Sequence, residues 1–410
     1  RRNHRSAQRA LTAPSLSHLR KETYQTSYID CASSMNLLII SRELPPIGGG
    51  AGNAALHLAQ HLHQEGNKIF LISMGFGGLP AREDCGGLSI YRVESGRKNQ
   101  HSSDSIEMIR FVIGAVRLGR KIIAKEQFDI VHAHSVVPEG LAASILGQFS
   151  NLPFVITAHG SDVPGYNPDS FGFLHKLIKP VWMRVIKHAA SIIAPSTYMA
   201  DLIRKQKSDL NIEVIPNGVS TKALEPAEKD NSFLIVSRLV YRKNYHRFLE
   251  ALARTGKPQT VHIVGDGPLL PELKRLAATN PQHTIHFYGW LENGSAKWRA
   301  LYERCRFFVF PSSNENFPIS LLEAQLAGMI VLASDIPGNR EALGTHAIYF
   351  ESLDHSGMLN TINNALAMGP TELQSMATAA RERVLTKFSW EESALAYGRI
   401  LENILSKSHK

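Results

Sequence analysis

The sequence has few cysteines and no long apolar stretch, and each of these absences excludes a class of protein. Its 410 residues include only Cys31, Cys85 and Cys305, which are widely spaced and form no Cys-x-x-Cys pair. An odd number without close spacing argues against a disulfide framework and favours a reducing compartment. The longest apolar runs have the length of a strand, far short of the ~18–20 residues of a membrane helix. The sequence therefore predicts no membrane-spanning helix.

Two common nucleotide-binding signatures are also missing. The run Gly48-Gly49-Gly50-Ala51-Gly52-Asn53 departs from Gly-x-Gly-x-x-Gly at Asn53, and no Walker lysine follows it. Nicotinamide-dependent and P-loop enzymes are therefore poorly supported. The net charge of +9 suits an anionic partner, although a solvated basic surface is the alternative. Because no helix-turn-helix, zinc or aromatic RNA-binding motif accompanies the charge, we expect no nucleic-acid partner.

The first 34 residues differ in composition from the rest of the chain. They contain six basic and two acidic residues and little hydrophobic periodicity, and Met35 then opens a strand-like apolar run. We interpret residues 1–34 as a disordered, vector-derived or upstream segment. An organellar transit peptide is the alternative, because the segment is rich in Arg and Ser and nearly free of acid.

From Met35 onward, short apolar strands alternate with helix-length amphipathic stretches such as Ala51–Glu65 and Phe171–His188, which predicts parallel sheets with helices on both faces. The expected strands are Asn36–Ser41, Lys68–Ser73, Ile130–His134, Phe154–Ala158, Ser191–Ala194, Glu213–Ile215, Ser232–Ser237, His262–Val264, Thr284–Phe287, Phe307–Phe310 and Ile330–Ala333. A turn at Pro216–Val219 and a polar stretch divide them. We therefore predict two doubly wound α/β domains, residues 35–218 and 219–388, and a helical segment at 389–410.

The strongest chemical signal is the segment from Pro311 to Gly328. A predicted strand ends at Phe310, a polar loop follows, and a helix begins near Ile319. Open α/β sheets bind ligands at the carboxyl ends of their strands, and loop amides with a helix N-terminus favour an anion. Two carboxylates, Glu315 in the loop and Glu323 in the helix, are separated by seven residues.

Two further loops follow predicted strands. Arg238 and Lys243 bracket the loop after the first strand of the second half, and two cations near a helix N-terminus favour a diphosphate. In the first half, His159 and Asp162 belong to the loop His-Gly-Ser-Asp, where Gly160 leaves space beside a ligand. A solvated basic loop and a packed histidine are the alternatives when each loop is taken alone.

Together these segments resemble the family 4 glycosyltransferases, whose Glu-x7-Glu motif matches Glu315 and Glu323. The resemblance implies the GT-B fold, in which two Rossmann-like domains face each other across a cleft and a C-terminal helix crosses back to the N-terminal domain. It also implies that His159, Arg238, Lys243 and Glu315 take part in catalysis. Glu315 would hold hydroxyls of the donor sugar, and Glu323 would hold the nucleotide ribose.

The resemblance extends to residues around the donor and the acceptor. The implied donor-binding residues are Gly49, Gly50, Gly265, Gly289, Asn316, Phe317, Pro318, Ile319 and Glu323, with Gly48 and Asp162 on the acceptor side. Asn316 stands where the family commonly has glycine, and Ser237 and Asn244 also replace family glycines. Because Asn tolerates positive φ better than most residues, we expect Asn316 to be a small departure.

The resemblance further implies a retaining transferase that uses a nucleotide-diphosphate sugar as co-substrate and needs no cofactor or metal. The Asp-x-Asp metal motif of the other large glycosyltransferase fold is missing, and no carboxylate cluster accompanies the pair His132-x-His134. Family habit indicates a glycan or lipid-linked acceptor in surface polysaccharide or glycoconjugate biosynthesis. A non-catalytic nucleotide-sugar-binding subunit and a GT-B sugar-nucleotide epimerase are the alternatives.

The basic helix expected at Phe171–His188 suggests a location for the protein. Lysines, arginines and histidines alternate there with Leu, Ile, Val and Trp, a composition that can rest on an anionic membrane. We therefore expect a cytoplasmic protein with peripheral contact at the inner face of the cell membrane. A helix with one buried face and one basic, solvated face is the alternative.

Overall fold

The computed structural model describes residues 34–408, except residues 101, 167 and 352. The chain from Met35 to Lys410 forms one compact unit. The predicted upstream segment 1–34 lies outside the described residues apart from Ser34, so its nature stays a prediction. Among the described helices, none combines the length and the apolar character needed to cross a bilayer.

The first half of the unit is built on one sheet. Its strands are β1 (Asn36–Ile40), β2 (Lys68–Met74), β3 (Arg82–Cys85), β4 (Leu88–Val93), β5 (Ile130–His134), β6 (Phe154–Thr157), β7 (Ser191–Ala194) and β8 (Ile212–Val214). Its helices are α1 (Gly50–Gln64), α2 (Ser105–Ile123), α3 (Glu139–Ser150), α4 (Pro168–His188) and α5 (Thr197–Arg204). The strand order is β3-β4-β2-β1-β5-β6-β7-β8, and every pair except the β3–β4 hairpin is parallel.

The second half repeats the design with a smaller sheet. Its strands are β9 (Asp230–Val236), β10 (Thr260–Val264), β11 (Thr284–Gly289), β12 (Cys305–Phe310), β13 (Ile330–Ser334) and β14 (Ile348–Phe350). Its helices are α6 (Tyr245–Leu252), α7 (Leu270–Ala278), α8 (Ala296–Arg304), α9 (Ile319–Leu326), α10 (Pro337–Leu343), α11 (His355–Ala367) and α12 (Pro370–Lys387), and α13 (Trp390–Ser408) ends the described chain. All pairs in the order β11-β10-β9-β12-β13-β14 are parallel.

All eleven strands expected from the sequence form, with bounds that differ by at most two residues. The β3–β4 hairpin and β14 were not expected. Strand β3 reads Arg-Glu-Asp-Cys and is mostly exposed, so it carries no apolar alternation, and β14 has only three residues. A strand of that kind forms because its neighbour in the sheet pairs with it, and this cannot be read from the strand's own residues.

Both faces of each sheet are covered, as the apolar strand sequences require. Alternate residues of β1 show this: Leu38 packs in the layer that contains Trp182 of α4, whereas Leu37 packs in the layer that contains Trp390 of α13. The last helix thus belongs to the core of the first half. The predicted GT-B architecture, including the helix that crosses back, is confirmed.

The strand orders determine where a ligand can enter. The order reverses between β1 and β5 in the first sheet and between β9 and β12 in the second. At such switch points the loops beyond the carboxyl ends of neighbouring strands diverge and leave a crevice. Residues 41–49 follow β1, residues 237–244 follow β9 and residues 311–318 follow β12, so three of the loops selected from the sequence lie at switch points.

Two chain segments run side by side where the halves join. Val219 forms a parallel bridge with Ser389, and its amide donates to the carbonyl of Phe388 over 2.8 Å. An added Cβ on Gly218 would lie 2.5 Å from the backbone nitrogen of Trp390, so glycine is needed for this close approach. The domain limits 35–218, 219–388 and 389–410 stay predictions.

Candidate active site

A buried ion pair links the loops that follow β9 and β12. Lys243 Nζ lies 2.7 Å from Glu315 Oε1, and the hydroxyl of Ser312 donates to the same carboxylate oxygen. Burial alone would raise the pKa of Glu315, but Lys243 and Arg242 outweigh it, and the pKa lies below its usual value. Glu315 is therefore an ionised, firmly held carboxylate.

Asn244 fixes the position of this pair. Its backbone is left-handed, with φ at 55°, and its side-chain amide donates to the carbonyl of Pro311 over 3.0 Å. Asn244 thus replaces a family glycine and also ties the β9 loop to the β12 loop. The same residue precedes α6, so the turn that ends in Lys243 leads directly into a helix N-terminus.

Arg238, at the start of the β9 loop, lies against the glycine run of the first half. An added Cβ on Gly49 would lie 3.4 Å from Arg238 Nε, whereas one on Gly50 would meet nothing within 4 Å. No side chain caps the N-terminus of α1, which begins at Gly50. A helix N-terminus and a guanidinium therefore share one side of the crevice, an arrangement suited to an anion. Gly48, with φ at 89°, packs on Glu43.

His159 faces this group from the loop after β6, and a column of rings stands behind it. His134 Nδ1 lies 3.0 Å from His159 Nε2, and the His134 and His132 ring centroids are 4.4 Å apart. His132 Nε2 lies 2.8 Å from the hydroxyl of Thr157, which lies 3.0 Å from the hydroxyl of Tyr397 on α13. Burial lowers the pKa of His159 to about 4, so the imidazole is neutral near pH 7.

Asp162 shapes the same loop through the backbone. Its Oδ1 accepts from the amide of Gly160 over 2.9 Å, and its Oδ2 accepts from the amide of Val136 over 2.6 Å. Asp162 thereby joins the loop after β6 to the loop after β5. Both carboxylate oxygens accept hydrogen bonds from backbone amides, so in this structure Asp162 fixes the two loops. Its predicted contact with an acceptor stays a prediction.

Asn316 does not have a positive φ in this structure, so the tolerance of Asn for positive φ is not what suits it to this position. Its Oδ1 accepts from the Ser196 hydroxyl over 2.5 Å, and its amide donates to the His159 carbonyl over 3.3 Å. The amide side chain thus connects the two halves at the site, a contact that glycine could not make.

Glu323 is buried on α9. The hydroxyl of Tyr302 donates to its Oε2 over 2.9 Å, and the amide of Asn293 donates to its Oε1 over 3.3 Å. Burial raises the pKa of Glu323 to about 7 because no cation faces it to offset the desolvation. The carboxyl group is thus held in place, and its predicted contact with a ribose stays a prediction.

The remaining predicted donor residues form the walls around these groups. Phe317 is buried with its ring 5.3 Å from that of Phe388, Pro318 precedes α9, and Ile319 packs against the layer of the first half that contains Trp390. The amide of Gly265 donates to the carbonyl of Gly289 over 2.7 Å, and a Cβ on Gly265 would collide with the Ser237 carbonyl. Glycine is therefore required where β10 ends beside the β9 loop.

The structure thus gathers most of the predicted site, together with residues that the sequence did not reveal. Arg238 interacts electrostatically with both Glu43 and Glu315, and His159 with Glu43, so these groups share the crevice. Glu323 instead has Tyr302 and Asn293 as its hydrogen-bond partners. The residues we missed are Arg42, Glu43, His134, Glu139, Tyr166, Arg242, Asn293 and Tyr302. Of these, only His134 could have been found from the sequence. It is the last residue of a predicted strand, directly before a loop, and it lies on the same face of that strand as His132.

Beside the crevice, a second buried ion pair organises the first half. Arg42 donates to both oxygens of Glu139 over 2.9 and 3.0 Å. Burial raises the pKa of Glu139 to about 7 despite this partner. Within the described residues, no group of three or more His, Cys, Asp or Glu side chains could hold a metal ion.

Two parallel-sheet domains with their switch-point loops facing one crevice define the class of GT-B proteins. Sequence profiles identify the family: the profile of Glycosyltransferase Family 4 matches residues 48–223, and that of Glycosyl transferases group 1 matches residues 219–383. The chain belongs to the family 4 glycosyltransferases of the GT-B fold.

Known proteins agree with this assignment. Glycogen synthase of Mycobacterium tuberculosis is 27% identical over 403 residues, which cover 89% of this chain and 94% of that protein. Sucrose-phosphate synthase of Thermosynechococcus elongatus has a similar structure, with a TM-score of 0.81 at 18% identity over 91% of this chain and all of that one. Anabaena HepE, solved with UDP and glucose, gives a TM-score of 0.72 at 18% identity over 90% and 99% of the chains.

Proposed function

We propose that this enzyme transfers a sugar from a nucleotide-diphosphate sugar to a glycan or lipid-linked acceptor, with retention of the anomeric configuration. The observation that carries the proposal is the Lys243–Glu315 ion pair beside Arg238, with the neutral His159 on the opposite side of the crevice. The family and the UDP found with HepE support a nucleotide-sugar donor. Surface polysaccharide or glycoconjugate biosynthesis is the pathway class that fits such an enzyme.

The chemical task is to break the bond between C1 of the sugar and a phosphate oxygen. Negative charge accumulates on the leaving diphosphate, so fixed cations and amide dipoles next to it stabilise the transition state. Arg238, Lys243 and the uncapped N-terminus of α1 are the groups available for this purpose. Because they supply positive potential without an ion, we propose that the reaction needs no metal and no other cofactor.

Glu315 acts by position in this proposal. Its carboxylate already accepts from Ser312 and pairs with Lys243, which leaves acceptor capacity for sugar hydroxyls and weakens it as a nucleophile. In a front-face reaction the leaving phosphate takes the proton of the attacking hydroxyl, and no enzymic nucleophile is required. His159, neutral and held by His134, can exchange hydrogen bonds with the sugar.

A thermal-shift panel with UDP-, GDP-, ADP- and dTDP-sugars in the presence of EDTA tests the donor site. A ligand at a hundred times its dissociation constant stabilises the folded state by about 2.7 kcal/mol. We expect a shift with one nucleotide, its loss in Glu323→Ala, and its retention in the matched control Glu382→Ala, whose side chain is exposed on α12. No shift with any nucleotide, or an equal shift in Glu323→Ala, would contradict the proposed site.

NMR of the anomeric proton in the product tests the stereochemistry. We expect the anomeric configuration of the donor to be kept, and an inverted product would contradict the mechanism. Incubation of the enzyme with donor alone separates the alternatives, because an epimerase converts the sugar nucleotide itself. A non-catalytic subunit would bind the donor and transfer nothing.

The exposed side of α4 supports peripheral contact with an anionic membrane at its cytoplasmic face. Leu177 and Val181 are exposed there, four residues apart on one face of the helix. Among the side chains that the structure describes on this helix, Lys176, Lys179, Arg184 and Lys187 are exposed and basic. Such a helix can lie in the interface of an anionic bilayer, where a lipid-linked acceptor would be found.

A further inference from the structure

A second helix of the first half, α2, exposes an unusual set of side chains. Between Ile106 and Ile123 its exposed residues are Ile106, Ile109, Arg110, Ile113, Arg117, Arg120 and Lys121, which we call the α2 face. The three isoleucines are 61%, 60% and 46% exposed. The one carboxylate of the helix, Glu107, is buried. The α2 face therefore combines large apolar side chains with four cations and no anion.

Helix geometry places these side chains on one side. Ile106, Ile109 and Ile113 are spaced by three and four residues and so lie along one stripe, and Arg117 continues it four residues later. The opposite side of the helix, with Phe111, is buried in the core of the first half. The α2 helix therefore lies flat on the domain and presents its apolar stripe outward.

The next helix extends this surface. Phe149 of α3 is 64% exposed, and the guanidinium of Arg120 lies 4.4 Å from its ring centroid. The exposed Ile and Phe side chains thus form an apolar patch next to cations. An exposed apolar patch on a folded protein marks an interaction site.

The α2 face is connected to the acceptor side of the crevice. Glu107 accepts from the amides of Lys98 and Asp104 over 3.0 and 2.9 Å and thereby holds the loop that precedes α2. The carbonyl of Gln100 in this loop accepts from the amide of Gly48 over 3.0 Å. The N-terminal end of α2, where Ile106 and Ile109 are exposed, is thus joined through one short loop to the glycine run at the site.

We propose that the α2 face docks on an anionic lipid bilayer, with the isoleucines among the headgroups and the cations against the lipid phosphates. This deepens the proposed function and rests on it, since docking there would hold the acceptor side of the crevice near a lipid-linked acceptor. Charge selects the occupant. A second copy placed symmetrically would oppose cation to cation, and residues 1–34, with six basic and two acidic residues, would also be repelled.

Sedimentation of the full chain with phosphatidylcholine vesicles, with and without phosphatidylglycerol, tests the proposal. We expect binding that requires phosphatidylglycerol and weakens with salt. Arg117→Gln should reduce the partition coefficient about fivefold, and Ile109→Asp at least as much, because each cation and each apolar anchor contributes on this scale. The matched controls are Arg399→Gln on α13 and Leu353→Asp, whose side chain is 62% exposed in the second half, and both should bind as wild type does.

Three outcomes would overturn the proposal. The first is an absence of binding to anionic vesicles, and the second is binding that Ile109→Asp leaves unchanged. The third is a dimer, measured by light scattering, that Ile109→Asp converts to monomer, since the α2 face would then be covered by a second copy. The nucleotide-sugar thermal shift of each variant is measured in parallel. If wild type shows no thermal shift, the proposed donor site is wrong. If wild type shows the shift but does not bind vesicles, only the proposed docking surface is wrong.

Discussion

The two glutamates of the Glu-x7-Glu motif are both buried, yet their surroundings drive their pKa values in opposite directions. Glu315 is paired with Lys243 and remains ionised, whereas Glu323 has only the neutral donors Tyr302 and Asn293. Burial without a cation raises the pKa of Glu323 to about 7. The motif thus contains one permanent charge and one carboxyl group that titrates near neutrality.

Glu323→Gln should change how the stability of the donor-free protein depends on pH. The pKa of Glu323 is raised in the folded state, so its protonated carboxyl group stabilises the folded protein at low pH. Wild type loses this contribution as the pH rises from the pKa in the unfolded chain, near 4.5, through about 7. Relative to wild type, the variant should gain on the order of 2–3 kcal/mol between pH 5 and pH 8. Urea unfolding at the two pH values measures this. A constant difference between variant and wild type would show that Glu323 ionises normally.

Spacing in the sequence identified both glutamates because their separation is local. It could not identify Tyr302, which reaches Glu323 from α8 and is 21 residues away in the chain. It also could not show that the side chain of Asn316 accepts a hydrogen bond from Ser196, 120 residues away. Asn316 therefore does more than replace a glycine, because its side chain makes hydrogen bonds that glycine could not make.

At the scale of elements, a side chain from the second half satisfies a helix N-terminus in the first half. The carboxylate of Glu341, on α10, accepts from the amides of Thr197 and Tyr198 at the start of α5 over 2.6 and 2.7 Å. Ser196 caps the same helix by accepting from the amide of Met199 over 3.0 Å. A negative charge at a helix N-terminus is stabilising, so Glu341 favours the arrangement in which the two halves touch.

Glu341→Ala should weaken that arrangement without disrupting either sheet. Loss of two charged hydrogen bonds at a partly exposed helix end costs about 1–2 kcal/mol. If donor binding needs the halves together, the dissociation constant of the nucleotide sugar should rise roughly tenfold. Calorimetric titration measures this, with Glu382→Ala as the matched control. An unchanged dissociation constant would mean that the contact has no part in binding.

The β3 strand escaped prediction for a physical reason. The β3 strand is polar and mostly exposed, and it exists because its backbone pairs with β4 in the register from Arg82–Tyr91 to Cys85–Leu88. By contrast, most of the predicted strands are buried on both faces and therefore read as continuous apolar runs. Sequence patterns report burial, so an element held mainly by backbone pairing leaves little trace in them.

At the scale of the whole molecule, the last helix is part of the first domain's core. Leu401 of α13 is fully buried in the layer that contains Leu37 and Ile39 of β1. Tyr397 of the same helix reaches Thr157 at the end of β6, beside the ring column behind His159. Helix α13 therefore packs back onto β1, and the core of the first half is complete only when α13 is in place.

Leu401→Ala should destabilise the protein by about 2–5 kcal/mol, because it leaves a cavity between α13 and the first sheet. Leu395→Ala on the same helix is the matched control, since Leu395 is 40% exposed, and it should cost less than about 1 kcal/mol. Equilibrium unfolding in urea compares the two variants. Equal losses would indicate that α13 does not contribute its buried face to the core.

The sequence by itself determined the alternation of strands and helices, the two-sheet architecture and the loops at strand ends that carry His159, Arg238, Lys243 and Glu315. These features are local, because the pattern of neighbouring residues predicts which strands are buried and where they end. Only the tertiary structure decided that Gly49 lies against Arg238, that His134 backs His159 and that Asn316 bonds Ser196. Those contacts join separate strands or separate domains, and they depend on strand order and on how the two sheets dock, which no short stretch of sequence encodes.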